Sequence, residues 1–412
     1  MTYVLSTYVN IQKLINDKNY AKEKKLKVKK KENLVIIKYD KSKINTENQQ
    51  TLGLFRSVIV NQKGEILCFA PPKSIDFDIF SQSTLYEQCT LKEFVEGTMI
   101  NLFWVPSEKE WEIATRSNIG ARCKFNLNET KTFRTMFLET MNHLNIDFSL
   151  FNKNYCYSFT LQHPNNRIVV PINEKKLYLT NIFQCINNNV SNIVNHIDFE
   201  SKLNFITFEE KKIQQKIPIP KNITFVDNLN YTGKSWKDLI EFLNSDNLDY
   251  RIQGVIVYNN KTKRRTKLRC KNYEKVKHLK GNNPKMQYHY YYLRQRQLVG
   301  EFLKYYPEYK KLFNDFRLIL HDWTKQLYKN YINCYIKKEK SIKDYPYNFK
   351  IHMFNLHEIY LYDLKPIKKF INKQEVINYV NNLPPPRLMY SVNHQMKQIS
   401  LDIKKESMLK NF

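Results

Sequence analysis

Between Lys261 and Lys280 the chain sets ten lysines or arginines against a single acid, Glu274. A density of this kind is suited to holding a polyanion, and Lys267 and Arg269 lie at its centre. A second stretch, L-K-E-F-V-E-G-T-M-I-N-L-F from Leu91 to Phe103, carries the carboxylate of Glu96 beside Gly97, where the backbone can bend or let a ligand approach closely. Lys92 is the nearest amine in that stretch. On a strand it points the same way as Phe94, about 6.5 Å further along. Other chemistries find little support. T-G-K-S before Trp236 lacks the earlier glycine of a phosphate-binding loop, and His357-Glu358 lacks the second histidine of a zinc hydrolase. His163 has no partner at a metal-ligand spacing.

The elements that would position these groups are legible from periodicity. Leu91 to Phe103 predicts a strand–turn–strand, Leu34–Tyr39 a strand, and Phe55–Val60 with Glu65–Phe69 a hairpin through Asn61–Gly64. Phe133, Phe137, Met141 and Leu144 recur at helical spacing. Tyr157, Phe159 and Leu161 share a strand face, Pro164-Asn165-Asn166 turns the chain, and Arg167–Val170 is expected to return as a strand. Ser235 caps a helix running through Phe242. After Gly281 to Pro284 strand alternation stops, and Leu312, Phe313, Phe316, Ile319, Leu320, Trp323 and Leu327 predict one helical face.

Composition sets the class. The chain has 412 residues, 42% hydrophobic, with 67 Lys and Arg against 39 Asp and Glu, a formal charge of +28. That length favours two domains, and that charge favours an acidic partner, RNA or DNA before an anionic membrane. An excess of Lys, Asn, Ile and Tyr, as an AT-rich coding genome produces, accounts for part of the charge. No run of about 18 apolar residues is present and Met1–Gln12 lacks the apolar core of a secretory signal, so a soluble protein is expected. Seven cysteines without a C-x-x-C pair read as reduced, mostly buried thiols of a cytoplasmic protein.

The string F-V-E-G-T-M-I-N-L-F resembles motif I, Lys-x-Asp/Glu-Gly, of the covalent nucleotidyltransferases, the superfamily of nucleic-acid ligases and capping guanylyltransferases. Glu96 and Gly97 fit, and Phe94 stands in the place of the nucleophilic lysine. Y-S-F-T-L-Q-H-P-N-N-R-I-V-V resembles motif III of the phage T4-type RNA ligases, with Phe159 and Arg167 in register and Thr160 in place of the glutamate. R-I-Q-G-V-I-V-Y resembles motif IV with Gln253 for the acid. R-T-K-L-R-C-K-N-Y resembles motif V, with Lys267 and Tyr273 matching and Arg269 for the second lysine. Arg56 and Lys73 fall in a stretch like the one before motif I, and Arg116 ends a strand also found in that family.

The resemblance implies an α+β fold: a nucleotidyltransferase (ligase-like) domain of antiparallel sheets followed by an all-helical carboxyl-terminal domain. The expected division is a basic helical segment over 1–33, the ligase-like domain over 34–280, the helical domain over 281–386 and a tail over 387–412. Arg56, Glu96, Gly97, Arg116, Phe159, Arg167, Gln253, Lys267 and Arg269 are the expected nucleotide- or RNA-binding residues of a viral-like, RNA ligase-like protein. A phenylalanine cannot attack phosphorus, and threonine or glutamine is a poor replacement for a magnesium-binding carboxylate, so the implied function is nucleic-acid binding by a pseudoenzyme. Two alternatives stay open. One is an active RNA ligase or capping-type nucleotidyltransferase, using ATP and Mg with Lys92 as relocated nucleophile. The other is a structural subunit of an RNA-processing assembly, with protein partners.

Overall fold

A computed structural model describes residues 2–124, 130–186, 188–194, 205–210, 213–283 and 285–394. The chain divides into two units, Met1–His278 and Leu279–Phe412. In chain order the strands are β1 (Thr2–Val4), β2 (Leu26–Lys31), β3 (Leu34–Tyr39), β4 (Val58–Asn61), β5 (Ile66–Phe69), β6 (Cys89–Glu93), β7 (Thr98–Val105), β8 (Glu110–Ala114), β9 (Tyr155–Gln162), β10 (Lys176–Ile186), β11 (Asn189–Val194), β12 (Phe205–Glu210), β13 (Ile213–Pro218), β14 (Thr224–Phe225), β15 (Gly254–Asn259) and β16 (Arg265–Arg269). The helices of the first unit are α1 (Ile11–Asn16), α2 (Lys18–Glu23), α3 (Gln49–Leu52), α4 (Phe77–Gln82), α5 (Phe133–His143), α6 (Trp236–Asn244) and α7 (Lys271–Lys280), the last running two residues past the unit boundary.

The largest sheet runs β1-β11-β10-β9-β7-β8, antiparallel throughout, with β14 added parallel to β10. A second sheet orders β2-β3-β4-β5, a third β16-β15-β6, and β12 pairs β13 alone. The strand–turn–strand around Phe94–Gly97 is present, but its arms belong to different sheets: β6 to the third, β7 to the first. The chain therefore steps from one sheet to the other within four residues, Phe94 to Gly97.

Local chemistry accounts for the elements. On α5, Phe133, Met136, Phe137 and Met141 are buried at spacings of one helical face, and the Thr132 hydroxyl caps the start by accepting from the Thr135 amide. Ser235 does the same for α6. Residues 1–33, expected as a helical arm, hold two short helices but also β1 and β2, so that reading is corrected. In L-K-V-K-K-K the alternation of Leu26 and Val28 makes an edge strand despite the charge. Arg167–Val170 is likewise not a strand, for a reason found at the site below.

The second unit is helical: α8 (Met286–Gln295), α9 (Val299–Tyr305), α10 (Lys310–Tyr331), α11 (Tyr347–Ile359) and α12 (Lys373–Asn382). The buried face of α10 is Phe313, Leu320, Trp323, Leu327 and Tyr331, whereas Leu312 and Ile319 are 37% and 45% exposed. Each precedes a buried residue by one position, which on a helix is a rotation of about 100° away from the core. The expected tail from 387 begins as packed helix: Leu388 is buried, and the Ser391 hydroxyl bonds His352 Nε2 at 2.7 Å. Its remainder, 395–412, and Pro284 lie outside the described residues. All seven cysteines are free, Cys68, Cys156 and Cys270 buried. Among the described residues no helix is long and apolar enough to cross a membrane. On this packing Leu320→Ala costs about 2–5 kcal/mol in chemical denaturation and Leu312→Ala no more than about 0.5 kcal/mol; equal losses would contradict the assigned face.

Candidate functional site

A cavity of about 320 Å³ opens beside the step from β6 to β7, lined by residues of the first and third sheets. The large sheet contributes Met99, Thr160, Leu179 and Thr180. The small sheet contributes Lys92 and Glu93 from β6, Ile256 and Tyr258 from β15, and Arg265, Lys267 and Arg269 from β16. Arg56, Pro71, Phe94–Gly97, Ile168, Val226, Gln253, Tyr273 and Lys277 complete the wall. The volume is at the lower end of the range for small-molecule sites.

Glycine is required at the step. At Gly97 (φ 157°) a Cβ would lie 2.5 Å from the Leu161 carbonyl oxygen and 2.6 Å from Thr160 Cγ2, and at Gly254 (φ 143°) it would collide with the Leu268 carbonyl. Between these points the Phe94 amide donates to the Gly254 carbonyl at 3.0 Å. Glu96, only 4% exposed, accepts from the Val169 amide at 3.0 and 3.2 Å and from the Val170 amide at 3.0 Å. The Tyr273 hydroxyl donates to the same carboxylate. Burial, with the Glu96 charge and this hydrogen bond, pushes the phenol well above its ordinary range. The amides that a strand at 167–170 would have paired are therefore turned inward onto Glu96, which explains why that segment is a loop.

The floor is cationic. Lys267 Nζ lies 4.6 Å from the Phe94 ring centroid and Arg269 Cζ lies 5.7 Å from it, so the aromatic face is held against two positive groups. Burial first, then Arg265, Arg56, Arg269 and Lys73, hold the Lys267 amine well below its ordinary range. Burial first, then Arg265 and Arg116, lower Arg56 to about 10, and its Nη1 donates to the Pro71 carbonyl at 3.3 Å. Lys92, 6% exposed, donates to the Val226 carbonyl at 3.5 Å. Gln253 Oε1 is buried and meets no donor among the described residues. Across Pro71, Tyr258 and Arg265 the cavity adjoins another of about 220 Å³, lined also by Tyr3, Tyr8, Lys73, Lys263 and Arg264.

Of the expected binding residues, Arg56, Glu96, Gly97, Gln253, Lys267 and Arg269 line the cavity, together with Phe94 and Lys92. Three do not. Phe159 is wholly buried against Phe137, Phe151 and Tyr157, a core ring with no face left for a nucleotide. Arg167 turns its Nε back onto the Val169 carbonyl at 3.1 Å. Arg116 lies over the Tyr39 ring, 4.5 Å from its centroid, outside the lining, with Nε and Nη2 unmatched by any acceptor among the described residues. His163 is structural, its Nε2 3.1 Å from Glu139. Sequence reasoning missed Arg265, although Arg265, Lys267 and Arg269 alternate along one strand and so share a face, a signal readable at period two.

The donor set does not fit magnesium. Glu93 and Glu96 are the cavity's carboxylates, and the second is already engaged by two amides and a phenol. Thr160 and Gln253 offer neutral oxygens where the resemblance calls for acids, a weak set for a hard dication. Phosphate is matched better, since six Lys or Arg line the wall. Because the Lys267 amine titrates lower in the folded chain than in the unfolded one, folding is opposed at low pH and stability rises as pH passes from the folded toward the unfolded value. Lys267→Met therefore stabilises the protein at about pH 7 and loses that advantage near about pH 10. Urea midpoints of both proteins check this, and a variant less stable at the lower pH contradicts it.

A stretch of 100 residues is 31% identical to an RNA ligase of Rhodothermus phage RM378, covering 22% of this chain and 22% of that protein. The match thus spans about a fifth of the curated relative's length. No protein-family model matches the chain. Among solved structures, an Aquifex aeolicus protein assigned as an ATP-dependent DNA ligase covers 84% of this chain and 79% of its own at 12% identity, with a TM-score of 0.35 that is too low to establish a shared fold. Sequence likeness to an RNA ligase is therefore local, and it accompanies a cationic cavity of about 320 Å³ between two antiparallel sheets.

Proposed function

We propose that this protein binds nucleic acid, RNA in preference to DNA, by seating a phosphate-bearing strand end in the cavity, and that it forms no covalent nucleotide adduct. The observation that carries this reading is Phe94: its ring lines the cavity where the nucleotidyltransferase resemblance calls for a lysine, with Lys267 and Arg269 packed on it. Lys267, Arg265, Arg56 and Arg269 take the phosphate oxygens. Anion binding relieves the mutual repulsion of these cations, a gain the unliganded cavity lacks. Gln253 Oε1, short of a donor, accepts from a nucleoside hydroxyl or amino group. The neighbouring cavity, with Tyr3 and Tyr8 beside Lys73, Lys263 and Arg264, suits an adjoining nucleotide by stacking and charge. Similarity to a phage RNA ligase supports the preference for RNA.

Lys92 favours a second reading, since a buried amine lines the same cavity. Its attack on the α-phosphate of ATP would form an N–P bond and release pyrophosphate. Incubation with α-labelled ATP or GTP and magnesium, followed by a denaturing gel, separates the two. No labelled protein is expected, and a band abolished by Lys92→Ala would establish the enzyme instead. If three phosphates are neutralised on single-stranded RNA, affinity falls about 10–20-fold when salt rises fourfold; Arg265→Ala lowers the logarithmic salt slope by about 0.7. A flat salt response would point to a structural subunit held by protein contacts.

A further inference from the structure

Away from the cavity, the edge of the second sheet carries a groove that the reading above leaves unused. It is about 660 Å³ and lies between helices α1–α2 and strand β2. Lys18, Lys22 and Lys25 line it from the helical side, Lys27, Lys29 and Lys30 from the strand, all exposed. Lys43 adds a seventh amine, and the groove's one acid, Asp40, is already paired with Lys27 at 2.9 Å. β2 ends its sheet, with β3 on one side and no strand on the other among the described residues.

Register decides which backbone groups are available. Lys31 pairs with Leu34 across a two-residue turn, so these two exchange both hydrogen bonds. Alternation then turns the N–H and C=O of Lys27, Lys29 and Lys31 toward β3, and those of Leu26, Val28 and Lys30 away from it. An outward row of alternating donors and acceptors is matched by a peptide backbone and not by a phosphodiester chain, while the amines require that the added strand be acidic. Lysines on an edge repel neutral and basic strands and so guard against self-association; the same charges select an acidic one.

We propose that the outward edge of β2 takes up an extended acidic segment of a partner protein as an added strand, its carboxylates neutralised by the groove lysines. The test uses the full chain and a fluorescent peptide of about eight residues alternating glutamate and valine. Binding is expected to weaken with salt and to slow hydrogen exchange at the amides of Leu26, Val28 and Lys30 while leaving those of Lys27 and Lys29 unchanged. Val28→Pro, which removes an outward N–H without touching the ladder to β3, is expected to weaken binding about tenfold. Replacing Lys27, Lys29 and Lys30 by glutamine weakens it also. Absence of peptide binding, or binding with no protection at those three amides in the unmutated chain, overturns the proposal. So does a groove that binds oligouridylate through the same lysines while ignoring the peptide, since it then belongs to nucleic acid.

Discussion

The buried carboxylate of Glu96 is the point on which the site depends. It lies on the short step that carries the chain from β6 in one sheet to β7 in another, and it gathers the amides of Val169 and Val170 and the hydroxyl of Tyr273. A charge this deeply buried is stable only when its lone pairs are met, so the loop after β9 and the start of α7 are both drawn to the step. Gly97 and Gly254 supply the close backbone approach that lets them arrive. Removing the carboxylate would leave two amides and a phenol without a partner and would loosen three walls of the cavity together.

Around that anchor the protein gathers positive charge that its own acids and ring faces offset only in part. Burial, then Arg265, Arg56, Arg269 and Lys73, hold the Lys267 amine low, and burial, then Arg265 and Arg116, lower Arg56; Glu96 is committed to backbone amides, and Arg269 is met by Glu274 at 3.0 Å. Folded proteins keep such repulsion where a ligand relieves it. Phe94 covers part of this charge with an aromatic face, an arrangement that suits a binding cavity. The proposed anionic guest would account for both the site's geometry and its stability cost.

Much of this was legible in the chain itself, for reasons that differ by residue. The helix of Phe133, Phe137 and Met141 and the cap at Ser235 follow from periodicity and local hydrogen bonding, which tertiary context did not override. That Glu96, Gly97, Gln253, Lys267 and Arg269 converge came from motif order. Yet the same motif reasoning put Phe159, Arg116 and Arg167 at a cavity they do not line: a pattern records which residues recur and cannot tell a core ring from a ligand platform. Arg167–Val170 was misread because its valines look like a strand, while the partner of its amides is a carboxylate more than 70 residues earlier. In the N-terminal lysine run, charge masked the alternation of Leu26 and Val28 that makes an edge strand.

The proposed binding mode requires that the cavity recognise a terminal phosphate. Titration of one single-stranded RNA with either a 5′-phosphate or a 5′-hydroxyl, at fixed salt, tests it most directly. The phosphorylated strand should bind about tenfold or more tightly, as charge-assisted bonds to a terminal phosphate imply, and Lys267→Met should abolish most of the difference. Equal affinities for the two ends in the unmutated protein would contradict the claim.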